Sequence, residues 1–192
     1  MARSTRDAII DAATALLDEG GPAAVTMREV GRRAGVSHNA PYKHFADKES
    51  LLAAVAVREL DAYAALVTPG DGGVAAAFDS YLRRTLRYPA RFRLVFGRWG
   101  IDDAALTQAA EAATAALLAA VTAGQQLGEL PAGNPVALAE LLRATAHGAV
   151  ELELGGHLAK GSSTTTPDDL LRRLLSLLAV AESPTIEATA VL

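Results

Sequence analysis

Cysteine is absent from the 192 residues, which removes disulfide frameworks, thiolate metal sites and cysteine nucleophiles, and fits a reducing compartment. Aromatic residues make up only 5% and isoleucine is scarce, so the residue types that strands favour are few. The richest apolar stretch, residues 104–121, is alanine-dominated and interrupted by Gln108 and Glu111, which argues against a membrane span. Residues 1–7 carry Arg3 and Arg6 with no apolar block behind them, unlike a signal peptide. A cytoplasmic chain is expected. Enzyme signatures are missing too: no nucleophile stands beside a base at a recognisable spacing, and the glycines of residues 70–73 lack the lysine and preceding strand of a phosphate loop. Neither an enzyme nor a cofactor is expected, and no third ligand offers itself for a metal site.

What the chain does have is apolar mass and helix formers. Apolar residues reach 51% and charged residues 21%, enough burial to offset chain entropy. Alanine and leucine dominate, so the expected fold class is all-α. Periodicity, caps and breakers predict about nine helices: 4–19, 26–34, 38–44, 48–67, 73–87, 89–97, 102–127, 134–158 and 167–182, the last two opened by Pro135 and Pro167. The glycine- and threonine-rich stretches 70–73 and 161–166 read as loops, and the tail beyond 183 as frayed. This divides the chain into a head (1–48), a connecting helix (49–67), a larger helical domain (68–183) and a flexible tail (184–192). Net charge is −4, yet residues 1–48 hold seven Lys or Arg against six Asp or Glu, while the remainder holds 11 against 16. Any role with nucleic acid belongs to the first quarter.

Within that quarter, residues 26–44 have the layout of a helix-turn-helix. Thr26 and Glu29 form the two ends of a capping box, Gly35 supplies a left-handed helix stop, Val36 plugs the space between helices, and Ser37 is positioned to cap the next one. Pro41 removes an early hydrogen bond and predicts a tight, 3₁₀-like first turn in the reading helix. A reading helix must carry small or polar side chains at its leading end, and His38, Asn39 and Ala40 meet that demand. Asn39 suits a bidentate pair with adenine, and Lys43 suits guanine or phosphate. Thr26, Arg28, Ser37, Tyr42, His44 and Lys48 complete the expected DNA-contacting set, with helix-start amides behind Thr26 and Asp47 adding attraction for phosphates.

The run Val25-Thr26-Met27-Arg28-Glu29-Val30-Gly31-Arg32-Arg33-Ala34-Gly35-Val36-Ser37, followed by Tyr42-Lys43-His44-Phe45, Asp47-Lys48-Glu49 and Leu51-Leu52, resembles the N-terminal domain of the TetR family of transcriptional regulators over residues 5–60. The resemblance implies phosphate contacts at Thr26, Tyr42, His44 and Lys48, and a divergent helical C-terminal domain that binds a small molecule and dimerises. Pro41 departs from the aliphatic residue usual at its place. Residues 143–148, Arg-Ala-Thr-Ala-His-Gly, are similar to a C-terminal subgroup with Trp, three residues and His-Gly, with Arg143 in place of the Trp.

Five of the nine aromatics fall between Tyr81 and Trp99, interleaved with six arginines. That segment reads as an aromatic pocket wall near an anionic ligand head, or as core aromatics beside a solvated basic face. Expected ligand contacts are Tyr81, Phe92, Phe96 and Trp99, with His147 and Glu151 sharing a helix face as an orienting pair. Ala144, Gly148, Leu152 and Gly155 form a small-residue stripe on which another helix can approach, and Leu171, Leu174, Leu175 and Leu178 offer the apolar complement, either in a homodimer or within one chain. Together these imply a repressor that binds a palindromic double-stranded DNA operator as a homodimer and is released by a largely apolar small molecule. The alternative is a constitutive DNA-binding or protein-interaction module with no small-molecule ligand.

Overall fold

Helix starts and stops follow side-chain chemistry throughout the computed structural model, which describes residues 4–67, 73–158, 160 and 164–180. Among the described residues there are eight α-helices and one 3₁₀ turn. They are α1 (Thr5–Ala24), α2 (Met27–Arg33), the 3₁₀ turn Pro41–Lys43, α3 (Lys48–Leu66), α4 (Gly73–Arg87), α5 (Pro89–Val95), α6 (Ala104–Gln126), α7 (Pro135–Leu154) and α8 (Pro167–Val180). The chain divides into two compact units, residues 1–66 with 83–116, and residues 67–82 with 117–192. The loop expected at 70–73 and the tail beyond 183 lie outside the described residues, except for Gly73, which opens α4.

In the first unit, the Ser4 hydroxyl accepts the Asp7 amide at 3.1 Å and starts α1. Ile9, Ile10, Ala13, Leu16 and Leu17, the stripe expected from periodicity, are all buried. Regular geometry in α1 stops at Glu19: Gly20 and Gly21 leave helical angles, Gly21 with φ +66°, before one more turn begins at Pro22. Val25, Met27, Val30, Phe45, Leu51, Leu52 and Val55 close this core.

Charge shapes the same unit. Glu59 of α3 is 3% exposed, and its carboxylate receives Arg84 of α4 through Nε at 2.6 Å and Nη2 at 2.8 Å. Arg91 of α5 lies 3.6 Å from Glu59 and donates to Asp18 of α1 through Nε at 2.8 Å. Arg58 of α3 reaches Asp11 at 2.7 Å and also Asp7. Tyr88 offers its ring to Arg84, Arg87 and Arg91, the last 3.9 Å from the ring centre. The arginines between Tyr81 and Trp99 are therefore not simply a solvated basic face: Arg84 and Arg91 are internal ties.

In the second unit, the Glu129 carboxylate accepts the Val74 amide at 2.9 Å and caps α4 from 55 residues away. Pro135 and Pro167 open α7 and α8 as expected, and the residues just before them, Asn134 and Thr166, cap the two helices. Helix α7 ends at Leu154 rather than 158, because Gly156 (φ +66°) turns the chain and the His157 amide returns to the Leu152 carbonyl at 2.7 Å. Leu142, Ala146 and Val150 of α7 and Leu171 of α8 are buried where these two helices pack. One expectation needs amendment: by length and composition α6 is apolar enough to cross a bilayer, with a mean hydropathy of 1.4 over its best 18 residues, because Gln108 and Glu111 interrupt its alanines too sparsely.

Removing one partner of a buried ion pair strands the other's charge, at a cost of about 3 kcal/mol. Glu59→Gln should therefore lower the urea midpoint of unfolding markedly, whereas the solvent-facing Glu140→Gln should leave it nearly unchanged.

Candidate nucleic-acid interface and ligand-binding residues

The helix-turn-helix is built on glycine and proline. Gly35 adopts φ +68°, the Val36 amide returns to the Gly31 carbonyl at 3.0 Å, and Val36 packs on the core. Pro41 is buried against Gly31: a Cβ at position 31 would sit 3.4 Å from Pro41 Cγ and from the Ser37 carbonyl. Pro41 thus serves as an apolar plug where an aliphatic side chain is usual, and a bare glycine backbone faces it.

This arrangement changes the reading element. The tight, 3₁₀-like winding expected at Pro41 is there as the 3₁₀ turn 41–43, but the helix expected over 38–44 with a Ser37 cap is not: residues 38–40 only turn, and no α-helix follows. The Ala40 amide goes to the Ser37 carbonyl at 2.9 Å, Lys43 to Ala40 at 3.1 Å and His44 to Pro41 at 3.1 Å, all i to i+3 bonds. Proline has no amide to give, so its ring fills the core while the tighter winding continues past it. The Ser37 contribution is its main-chain carbonyl.

The second correction concerns the capping box. The Thr26 hydroxyl accepts the Glu29 amide at 3.2 Å as expected, but the Glu29 carboxylate turns to Arg32, whose Nε donates at 2.8 Å. The Arg32 guanidinium beside it holds the Glu29 carboxyl below its usual range. At α3 the box is complete in another form: Asp47 Oδ1 accepts the Ser50 amide at 2.8 Å, and Ser50 Oγ accepts the Asp47 amide at 3.2 Å. These bonds pull the Asp47 carboxyl below its usual range.

All ten residues expected at DNA lie in the first unit. Thr26, Arg28, Ser37, His38, Asn39, Tyr42, Lys43 and His44 are exposed, Tyr42 at 57%, while Ala40 and Lys48 are half-buried. Arg32 and Arg33 are bound to Glu29 and Glu19. A notch of about 410 Å³ is lined by Thr26, Arg28, Arg32 and His38 among others.

The expected ligand residues are not all together. Phe92 is fully buried, and Phe96, 39% exposed, lies 5.1 Å from it and 6.4 Å from Tyr63 between ring centres. Trp99 follows a turn at Gly97 and packs on the core of the helix-turn-helix instead of joining that pair. In the second unit, Tyr81 is buried and its phenol is pushed well above the ordinary range by that burial. His147 is half-buried and Glu151 exposed, one turn apart on α7. Sequence reading missed Glu59; its signal was an acid three and four residues from Ala56 and Val55 on an otherwise apolar stripe.

The Asp47 cap gives a pH test. A carboxyl held low in the fold adds stability that is full above the unfolded value of about 4 and is lost as pH falls through the folded value. Wild type should exceed Asp47→Asn in thermal midpoint at pH 7, with the gap closing on acidification below pH ~4.

Comparison with known proteins accords with this architecture. Residues 9–55 match the family model described as bacterial regulatory proteins, tetR family, and residues 74–178 match that of the tetracyclin repressor-like C-terminal domain. The HTH-type transcriptional repressor Rv3405c of Mycobacterium tuberculosis is 44% identical over 48 residues, 25% of this chain and 26% of that protein. The class D tetracycline repressor protein of Escherichia coli is 34% identical over 93 residues, 46% of this chain and 43% of that protein. The chain thus spans between a quarter and a half of the length of these curated relatives. A protein of unknown function from Rhodococcus sp. RHA1 shares the fold, with a TM-score of 0.76 and 24% identity over 94% of this chain and 96% of that one. The two family models together cover most of the sequence, and the chain belongs to the TetR family of transcriptional regulators.

Proposed function

We propose that this regulator is a repressor that binds a palindromic operator as a homodimer and releases it when a small molecule binds. The observation that carries the reading is the exposed stretch Ser37–His44 held on a buried Pro41–Gly31 contact. His38, Asn39 and Ala40 meet base edges, Asn39 pairing with an adenine, and Thr26, Arg28, Tyr42, His44 and Lys48 hold the phosphates. Lys43 meets guanine or phosphate, and the Ser37 main chain holds the turn in place. Two relatives are repressors by name, which favours repression over activation.

The homodimer uses the outward face of the last two helices. Ala144 and Leu152 are exposed on α7, and the space beside Gly148 is open. Leu177 of α8, 63% exposed, joins that face, flanked by the half-buried Leu174 and Leu178. Leu171 is buried inside its own unit and Gly155 caps α7, so both serve the single chain rather than the contact between chains. The effector is largely apolar. We assign its polar contacts to Tyr81, His147 and Glu151 in the second unit; Phe92 of the first unit is closed off by packing.

A ligand shifts a two-state equilibrium only by its differential affinity for the two states. The switch therefore needs a rigid route to the reading turn, and α3 supplies it. Lys48 stands at its start, and Glu59 ties it to Arg84 of α4 and Arg91 of α5. Displacement of the last turn of α4 would pull α3, and Lys48 with it.

Selection of operators from random duplex DNA, followed by a screen for small molecules that release them, tests the reading directly. A recovered pool without inverted symmetry would refute it. Asn39→Ala should relax choice at one base pair per half-site at a cost of roughly 1–3 kcal/mol, while Lys48→Ala should weaken all sequences alike and flatten the salt dependence. Gly148→Leu should raise the monomer fraction in sedimentation; an intact dimer would reject the α7 face. His147→Ala should blunt release while sparing DNA affinity.

A further inference from the structure

A groove of about 600 Å³ lies wholly within the first unit, beside the kink that ends α1, the first turn of α3 and the chain that follows α5. Its floor is apolar: Leu52 is buried, and Leu94 and Trp99 pack half-buried on the core of the helix-turn-helix. Its rim is basic, with Lys48 from α3, Arg93 from α5 and Arg98 from the chain after it. Glu49 also lines the groove, but its carboxylate is occupied, accepting the Gly100 amide at 2.8 Å and fixing the loop that carries Trp99. Lys48 and Arg98 stand against the one carboxylate of Glu49, which leaves the rim positive above an apolar floor.

This chemistry discriminates among occupants. A bare inorganic anion would use the rim and leave Leu52, Leu94 and Trp99 without a partner. A neutral apolar molecule would use the floor and force Lys48 and Arg98 to crowd a dry surface. An organic anion with an apolar body satisfies both, because burial of its body adds to charge-assisted hydrogen bonds at its head.

We propose that the groove is a binding site for an amphipathic organic carboxylate, its apolar body on Leu52, Leu94 and Trp99 and its carboxylate at Lys48 and Arg98. The groove is lined by residues of the first unit alone, whereas Tyr81, His147 and Glu151 belong to the second. Lys48 is also the proposed phosphate contact, so a carboxylate on it competes with DNA for the same ammonium. That consequence rests on the DNA-binding reading above; the site itself does not.

Calorimetric titration of 2-naphthoate into the full-length protein, without DNA, tests the site against the uncharged isostere 2-naphthamide. Saturable binding of one naphthoate per chain is expected, with affinity about tenfold lower for the amide and for Arg98→Ala, as loss of one charge-assisted contact requires. Arg98 is exposed, and circular dichroism checks that the variant is folded. Equal affinity for acid and amide, or unaltered binding by Arg98→Ala, overturns the proposal. So does the absence of saturable binding by both 2-naphthoate and decanoate at millimolar concentration. Binding lost in His147→Ala but kept in Arg98→Ala would put the anion in the other unit and overturn it equally. Fluorescence anisotropy on labelled duplex DNA, at fixed ionic strength, then reads the competition: naphthoate should weaken DNA binding by wild type and much less by Arg98→Ala. Should the ligand-free protein fail to bind selected DNA at all, the DNA reading falls while calorimetry still decides the groove.

Discussion

A carboxylate at 3% exposure must be compensated where it lies, and Glu59 sets that demand at the middle of α3. Its two oxygens take the Arg84 guanidinium in a bidentate fork, which fixes direction as well as distance. Arg91 approaches from α5 and spends its other donors on Asp18 of α1. Four helices are thereby committed to one geometry by a few polar atoms. An apolar side chain at position 59 would pack just as densely and would hold these helices with far less directional preference. Such directionality would serve the proposed switch, because a fork transmits displacement that a greasy contact absorbs.

Local signals made much of the fold legible. Asn134 before Pro135, Thr166 before Pro167 and Asp47 before α3 each act within three residues, so the sequence displays cause and effect side by side. The alanine and leucine content carried the fold class for the same reason. The failures share the opposite property. Glu29 lies within reach of both the Thr26 amide and Arg32, and an ionised partner one turn ahead prevails over a neutral amide behind. Pro41 announced its tight turn, but not its burial, which depends on Gly31, ten residues earlier, and no periodicity count relates the two. The basic aromatic segment read as two simple alternatives because the partners of Arg84 and Arg91 lie 25 and 73 residues away.

The candidate site divides along the same line. Exposure of Ser37 to Asn39, Tyr42 and Lys43 follows from the helix-turn-helix pattern, since that pattern fixes which residues must be apolar and leaves the others outward. Ligand residues carry no comparable pattern. Phe92, Phe96 and Trp99 stand at spacings of four and three, which a continuous helix would place on one face. Helix α5 ends at Val95, however, and the turn at Gly97 sends Trp99 to the core of the helix-turn-helix. Spacing predicts a common face only while the helix lasts.

The same long-range pairing resolves an electrostatic paradox. A chain of net charge −4, whose first 48 residues amount to only +1, is poorly suited by count to a polyanion. Count is the wrong measure, because the six acids of those 48 residues are engaged. Asp7 and Asp11 meet Arg58, Asp18 meets Arg91, Glu19 meets Arg33, Glu29 meets Arg32, and Asp47 is bonded to the first turn of α3. Two of those arginines, Arg58 and Arg91, come from beyond residue 48, and between them they add two positive charges beside three acids of the first quarter. Arg28 and Lys43 then act over the screening length of about 8 Å beside acids that already have partners. Moving those arginines elsewhere would leave the net charge unaltered and return three carboxylates to the unit that carries the reading turn. The fold therefore sets the local sign by choosing partners for its acids, a choice that composition does not record.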